Sequence, residues 1–262
     1  LKIKKQFILI LKKQLFLFIL FLISSQCLFA QKSNSEYIKD FFVLGGDIAT
    51  APAHFDKHDF VNLGITTAVI AGAFLADNSL RDFAGRNHSS FNDGLFSIDK
   101  YALGFSVLSI GGIGGYGLIA NDYKAKELGL KLAEAVCYSE LLGEILKIAV
   151  GRSRPYTGKG HSDFNPLNFS DDKNSFPSNH TIFAFAFARV MAGESDNFFW
   201  KAGWYTLAVV MAGARSYHDM HWLSDLAAGA CIGYFVGTFT VNHYTNKRDN
   251  SQNYSLSFRV NI

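Results

Sequence analysis

Residues 61–76 and 102–120 carry no charged side chain, and no proline interrupts either run. A stretch that long without charge must satisfy its own backbone hydrogen bonds, and a helix does so within one segment. Residues 128–150 show helical periodicity with charges on one side, and 181–193, 202–214 and 226–241 add further apolar segments. Only 4 of 262 residues are proline, against 25 Phe and 11 Tyr, which favours long unbroken helices over a loop-rich β fold. The expectation is an all-α fold: one helical-bundle domain over residues 31–245, with its working core at about 128–241. Phe183, Phe185 and Phe187 alternate with alanines, a period that alone would suit a strand. The alanines, the 183/187 spacing and the length of the segment suit a helix.

The two ends read differently. Lys2, Lys4, Lys5, Lys12 and Lys13 precede an apolar run at 15–23 and a small-residue stretch ending at Ala30. This is the pattern of a secretory signal peptide cut after Ala30, and it predicts an exported protein of the periplasm or cell envelope. In that oxidising compartment Cys137 and Cys231 remain, both in apolar stretches where a small buried hydrophobe fits better than a disulfide. Residues 246–262 form a tail in which 254–262 alternate apolar and polar, predicting a short β-strand. One such strand is far from the eight that an outer-membrane barrel needs.

Charge narrows the partners. A formal net charge of +3 is too mild for a nucleic-acid partner. His54 and His58 stand four apart, but no third ligand follows at a fixed spacing, so neither a metal nor any other cofactor is expected. The glycines of 104–117 suit close helix packing; no Lys-Ser/Thr follows them as a phosphate loop requires. Mean hydropathy is +0.11, an excess supplied by the first thirty residues. If residue 31 lies outside and 61–76, 102–120 and 128–147 all cross a bilayer, the later polar clusters end up in the cytoplasm. Membrane-embedded and membrane-surface arrangements both remain open at this point.

Three short clusters carry the chemistry. The first is Lys147 through Arg154-Pro155, the second Pro177-Ser178-Asn179-His180, and the third Ala214-Arg215 through His221 and Asp225. Lys147 and Arg154 are two helical turns apart and share a face if the helix continues to Pro155. Ser178 or Asn179 can cap the helix that follows, whose N-terminus attracts an anion. His221 and Asp225 lie one turn apart, so the carboxylate can hold one ring N–H and leave the other nitrogen nucleophilic. Residues 156–175, polar and glycine-bearing, read as a functional loop of the lid type.

At these residues the sequence resembles the type 2 phosphatidic acid phosphatase superfamily, which also contains the vanadium haloperoxidases. Its pattern is Lys, six residues, Arg-Pro; then Pro-Ser-Gly-His; then Ser-Arg, five residues, His, three residues, Asp. The resemblance covers about 128–241. It implies an all-α core and metal-independent hydrolysis of phosphate monoesters or pyrophosphates through a phosphohistidine. By match His221 is the nucleophile, Asp225 its orienter and His180 the acid, while Lys147, Arg154, Ser178, Asn179 (through its backbone N–H) and Arg215 bind phosphate. Asn179 stands where the family has glycine and Ala214 where it has serine. The substrate expected is a lipid phosphate at a membrane surface. A small phosphomonoester handled by a soluble secreted enzyme is the alternative, and vanadate-dependent halide oxidation a more distant one.

Overall fold

The computed structural model describes residues 34–249; the signal-like segment and the strand-like tail lie outside them. Nine α-helices and no strand occur among the described residues, in agreement with the all-α expectation. They are α1 (Asn34–Thr50), α2 (Lys57–Leu75), α3 (Asp77–Arg86), α4 (Ser90–Phe96), α5 (Ala102–Ile119), α6 (Tyr123–Val150), α7 (Asn179–Ala192), α8 (Phe198–Tyr217) and α9 (Leu223–Asp249).

Local chemistry sets the helix ends. Asp56 accepts from the backbone N–H groups of His58 and Asp59, and Asp59 accepts in return from Asp56 N, a capping box that starts α2. Asp122 and Asn197 cap α6 and α8 through their side-chain oxygens, without a capping box. The sequence expectation carried α6 on to Pro155, but the helix stops at Val150. Gly151 turns left-handed at φ +62°, and a Cβ there would stand 1.8 Å from the carbonyl oxygen of Asn165. Only glycine makes that turn at that proximity, so Arg154 reaches the site from a loop.

Helix α7 is the centre of the bundle and touches α6, α8 and α9. Ile182, Ala186, Ala188 and Val190 are almost wholly buried along it. Against it α9 sets Gly229, Gly233 and Gly237, four residues apart. A Cβ at Gly233 would lie 2.1 Å from the carbonyl oxygen of Ile182, so the two backbones meet with no side chain between them. That seam fixes the start of α7 beside the start of α9, where the second and third clusters lie. Of the glycines in α5, Gly114 and Gly117 give close approach to α6; Gly104, Gly111, Gly112 and Gly115 face open space.

The polar clusters gather at one end of the bundle: the C-terminal ends of α6 and α8 and the N-terminal ends of α7 and α9. The C-terminal end of α2 is there too, since Asp77 just beyond it bonds Arg152 and Ser224. Lys57–Leu75 and Leu223–Asn246 are long and apolar enough to cross a membrane, and a third span results if the bent pair Ser90–Tyr101 and Gly104–Ile119 counts as one. Only 6% of the α2 window is buried inside the protein, leaving Phe60, Val61, Ile65 and Val69 exposed on its surface.

Candidate active site

His221 stands in the turn before α9 and is 3% exposed. Its Nδ1 lies 2.7 Å from the carbonyl oxygen of Ser175. A carbonyl only accepts, so Nδ1 carries the proton and Nε2 keeps its lone pair. Burial, reinforced by the positive charges of Lys147, Arg154 and Arg215 and by His180, holds the His221 pKa well below the usual histidine value. The ring is therefore neutral near pH 7.

The expectation that Asp225 takes the ring N–H directly is modified by the structure. Asp225 Oδ2 stands 3.8 Å from Nδ1, beyond hydrogen-bond length. It instead accepts from Ser175 Oγ at 2.5 Å and from the backbone N–H of Trp222 at 2.9 Å. Asp225 thus holds from both sides the two segments that position His221, and acts on the ring through Ser175.

The other Asp225 oxygen faces Arg152, a spacer residue of the first cluster. Arg152 is 1% exposed and donates to Asp225 Oδ1 at 2.5 Å and to Asp77 Oδ2 at 2.6 Å. Its guanidinium lies over the rings of Phe74, Phe164 and Trp222. Asp77 also accepts from Ser224 N and Oγ, tying α3 to α9. A second Arg two residues before Arg154 was the only trace of this knot in the sequence.

Lys147 and Arg154 are positioned by neutral acceptors of Asn174, and Arg215 by the Asp99 carboxylate. Lys147, 4% exposed, donates to the carbonyl oxygen of Asn174 at 2.6 Å. Burial and the nearby Arg154 charge push its pKa down to about 7, with Glu144, Asp225 and Glu140 opposing. Arg154 donates through Nε and Nη2 to Asn174 Oδ1, and its buried Nη1 has no partner within the protein. Arg215 donates through Nη1 to Asp99, and its buried Nε likewise has none. Two buried guanidinium donors without protein acceptors beside His221 fit a bound oxyanion.

Residues 156–175 do not form a free lid. Arg152 Nε donates to the carbonyl of His161, Ser153 Oγ and Lys173 donate to Asp163, and Trp222 Nε1 donates to the carbonyl of Ser153. The loop is strapped down, and its last residues, Asn174 and Ser175, serve Lys147, Arg154 and His221.

At the start of α7 the expected side-chain cap is absent. Ser178 occupies the cap position, but its Oγ accepts from Thr181 Oγ1 and bonds no backbone N–H of the first turn. Asn179 is also turned away from that turn. Its Nδ2 donates to Glu144 Oε1 at 2.7 Å and Glu140 Oε2 at 3.2 Å on α6. Room for it comes from Gly143, where a Cβ would stand 2.3 Å from Asn179 Oδ1. The side chain that departs from the family pattern is thus absorbed by α6. Ala214 is fully buried in α8.

His218, three before His221, binds Asp99 Oδ2 through Nδ1 at 3.0 Å. His54 binds the carbonyl of Thr50. Among the described residues no group of three or more His, Cys, Asp or Glu side chains is arranged to hold a metal. Cys137 and Cys231 are both free thiols.

Comparison with known proteins agrees with this geometry. The chain is 34% identical over 123 residues to a lipid A 1-phosphatase of Rhizobium etli, and 27% identical over 169 residues to one of Porphyromonas gingivalis. Those matches take in 45% and 63% of this chain but only 50% and 34% of the relatives, so the chain spans half or less of their length. A crystal structure of a transmembrane PAP2-type phosphatidylglycerolphosphate phosphatase from Bacillus subtilis shares the fold, with a TM-score of 0.51 at 20% identity over 72% of this chain and 94% of that one. Residues 128–249, which include all three clusters, match the model of the PAP2 superfamily.

Proposed function

We propose that the chain hydrolyses the phosphate monoester or diphosphate of a membrane lipid, with His221 as nucleophile. The observation that carries this reading is the His221 tautomer: Nδ1 is bound to the Ser175 carbonyl, so Nε2 keeps its lone pair on a ring that lies within the field of Lys147, Arg154 and Arg215. In the first step Nε2 attacks phosphorus, the P–N bond forms, and the P–O bond to the lipid breaks. His180 gives its proton to the departing oxygen. In the second step His180 takes a proton from water, whose oxygen attacks phosphorus and breaks the P–N bond, releasing phosphate and restoring His221. Lys147, Arg154, Arg215 and the start of α7 at Ser178 and Asn179 hold the equatorial oxygens, whose charge is the main electrostatic demand of such a transfer.

A lipid substrate is favoured over a soluble one by the apolar surface of α2 and by relatives whose names give a lipid phosphate. We place the site at the extracytoplasmic face of a membrane that α2 and α9 cross. Both helices then carry their far ends, Lys57 and Asn246, to the other side. Delivery of residue 31 to the outside therefore requires one more crossing before Lys57.

The reading is tested with a panel of lipid and soluble phosphates, each with and without chelator. His221→Ala is expected to abolish turnover and the acid-labile phosphoenzyme, while chelator has no effect. Normal turnover by His221→Ala overturns the mechanism. A Lys159→Cys variant, on the exposed part of the loop, should react with an impermeant thiol reagent in intact cells; protection until lysis reverses the orientation.

A further inference from the structure

Three elements carry a site residue one helical turn above an apolar residue that faces a common space. On α7, His180 precedes Ala184 by four positions; on α8, Met211 precedes Arg215 by four; before α5, Asp99, the partner of Arg215, precedes Ala102 by three. Ala102, Ala184, Ala188, Ala208 and Met211 form one buried apolar cluster. Together these helices line a cavity of about 190 Å³.

The small side chains give the groove its depth. Its rim is aromatic and aliphatic and faces outward: Tyr101, Phe105 and Leu207 are 69%, 50% and 47% exposed. An apolar groove whose wall residues Ala184 and Met211 lie one helical turn from His180 and Arg215 matches the two ends of an amphiphile. A second cavity, bounded by Asp59, Thr66 and Phe235, has an acidic side chain in its wall, whereas the groove between α5, α7 and α8 is lined by apolar and aromatic residues.

We infer that the groove between α5, α7 and α8 seats the hydrocarbon tail of the lipid whose phosphate is bound by Arg154, Arg215 and His221. The inference rests on the phosphatase reading and adds to it a specificity site: Ala184 and Ala208 set its depth, and Leu207 its rim. Acyl and isoprenoid tails share the chemistry required, a flexible apolar chain; the branched tail needs more width at the alanine floor.

The test uses the full chain in lipid nanodiscs. Substrates are monoalkyl phosphates of increasing tail length below their micellar concentration, an isoprenyl phosphate, and p-nitrophenyl phosphate. With the native protein kcat/KM should rise about fourfold per methylene until the groove is full, the value of moving one methylene out of water. Ala184→Phe and Ala208→Phe should flatten that rise to less than about twofold per methylene while p-nitrophenyl phosphate turnover stays within about threefold of native. The isoprenyl phosphate should lose more than the straight-chain ones if its tail is the natural occupant, and less if an acyl tail is. Either order supports the groove.

If both filled variants fail to fold, Leu207→Asp at the exposed rim decides, and its tail-length gain must fall in the same way. Variants that keep the native tail-length dependence overturn the groove assignment while leaving the phosphatase reading intact. A native protein that turns over no phosphate at all overturns both.

Discussion

His221 Nδ1 lies 2.7 Å from the carbonyl oxygen of Ser175, a residue 46 positions earlier in the chain. The Ser175 hydroxyl is in turn held by Asp225, one helical turn beyond His221. The imidazole is therefore positioned by a backbone acceptor, and the carboxylate acts one bond removed. Where a carboxylate takes the ring proton directly, it can stabilise the imidazolium fully. Here the neutral ring is favoured, as nucleophilic attack requires.

Ser175→Ala keeps the carbonyl but frees it from Asp225. We expect kcat to fall about tenfold with KM little changed, the worth of one charge-assisted hydrogen bond of about 1.5 kcal/mol. Steady-state kinetics on a soluble phosphomonoester checks this. An unchanged kcat means the Ser175 to Asp225 bond does not position the ring.

Arg152→Met should destabilise the fold more than it disturbs phosphate binding. It leaves Asp77 and Asp225 buried without their cation, a loss of about 3–5 kcal/mol for a broken buried pair. Thermal unfolding in detergent measures it, and adding Asp77→Asn should recover part of the loss. Full native stability in Arg152→Met contradicts the account of this knot.

Lys147 sets an upper pH limit. Its pKa near 7 in the folded protein means the free site loses a positive charge as pH rises through that value. We expect kcat/KM, which reports the free enzyme, to decline there. Lys147→Arg should lack this limb, and the ratio of the two proteins on one substrate cancels the substrate's own titration. Because the folded pKa lies below the ordinary lysine value of 10.5, the unfolded chain binds the proton more tightly. Stability from this group therefore rises with pH from about 7 to 10.5 and is lowest below 7. A chemical-denaturation series across that range should show native protein gaining on Lys147→Met.

Asn179 and Gly143 form a coupled pair. Gly143→Ala should cost kcat/KM when Asn179 is present, because the new methyl displaces the carboxamide from Glu140 and Glu144. In an Asn179→Gly background the same change should be nearly neutral. A double-mutant cycle should give a coupling of about 1–2 kcal/mol. Additive effects exclude the pairing as the reason asparagine is tolerated at this position.

The helices are legible in the sequence alone, and so are the residues on which the proposed chemistry rests. Uncharged runs without proline leave the backbone little choice but helix, and Lys147, Arg154, His180, Arg215 and His221 stand at the spacings on which the proposed anion site rests. Those are local properties, set by neighbours within a turn or two. What the sequence left undetermined depends on residues far apart. The partner of His221 is a backbone carbonyl, and backbone atoms carry no mark of their role in a sequence. Arg152 and Asp77, 75 positions apart, become a pair only when α3 is laid beside α9. The left-handed turn at Gly151, the anchoring of Asn179 on α6 and the groove beneath Arg215 are likewise products of helix packing. The Gly229, Gly233 and Gly237 seam that allows it was present in the sequence as a four-residue repeat, but which helix it would receive was decided only by the tertiary structure, because close backbone approach is a property of two surfaces together.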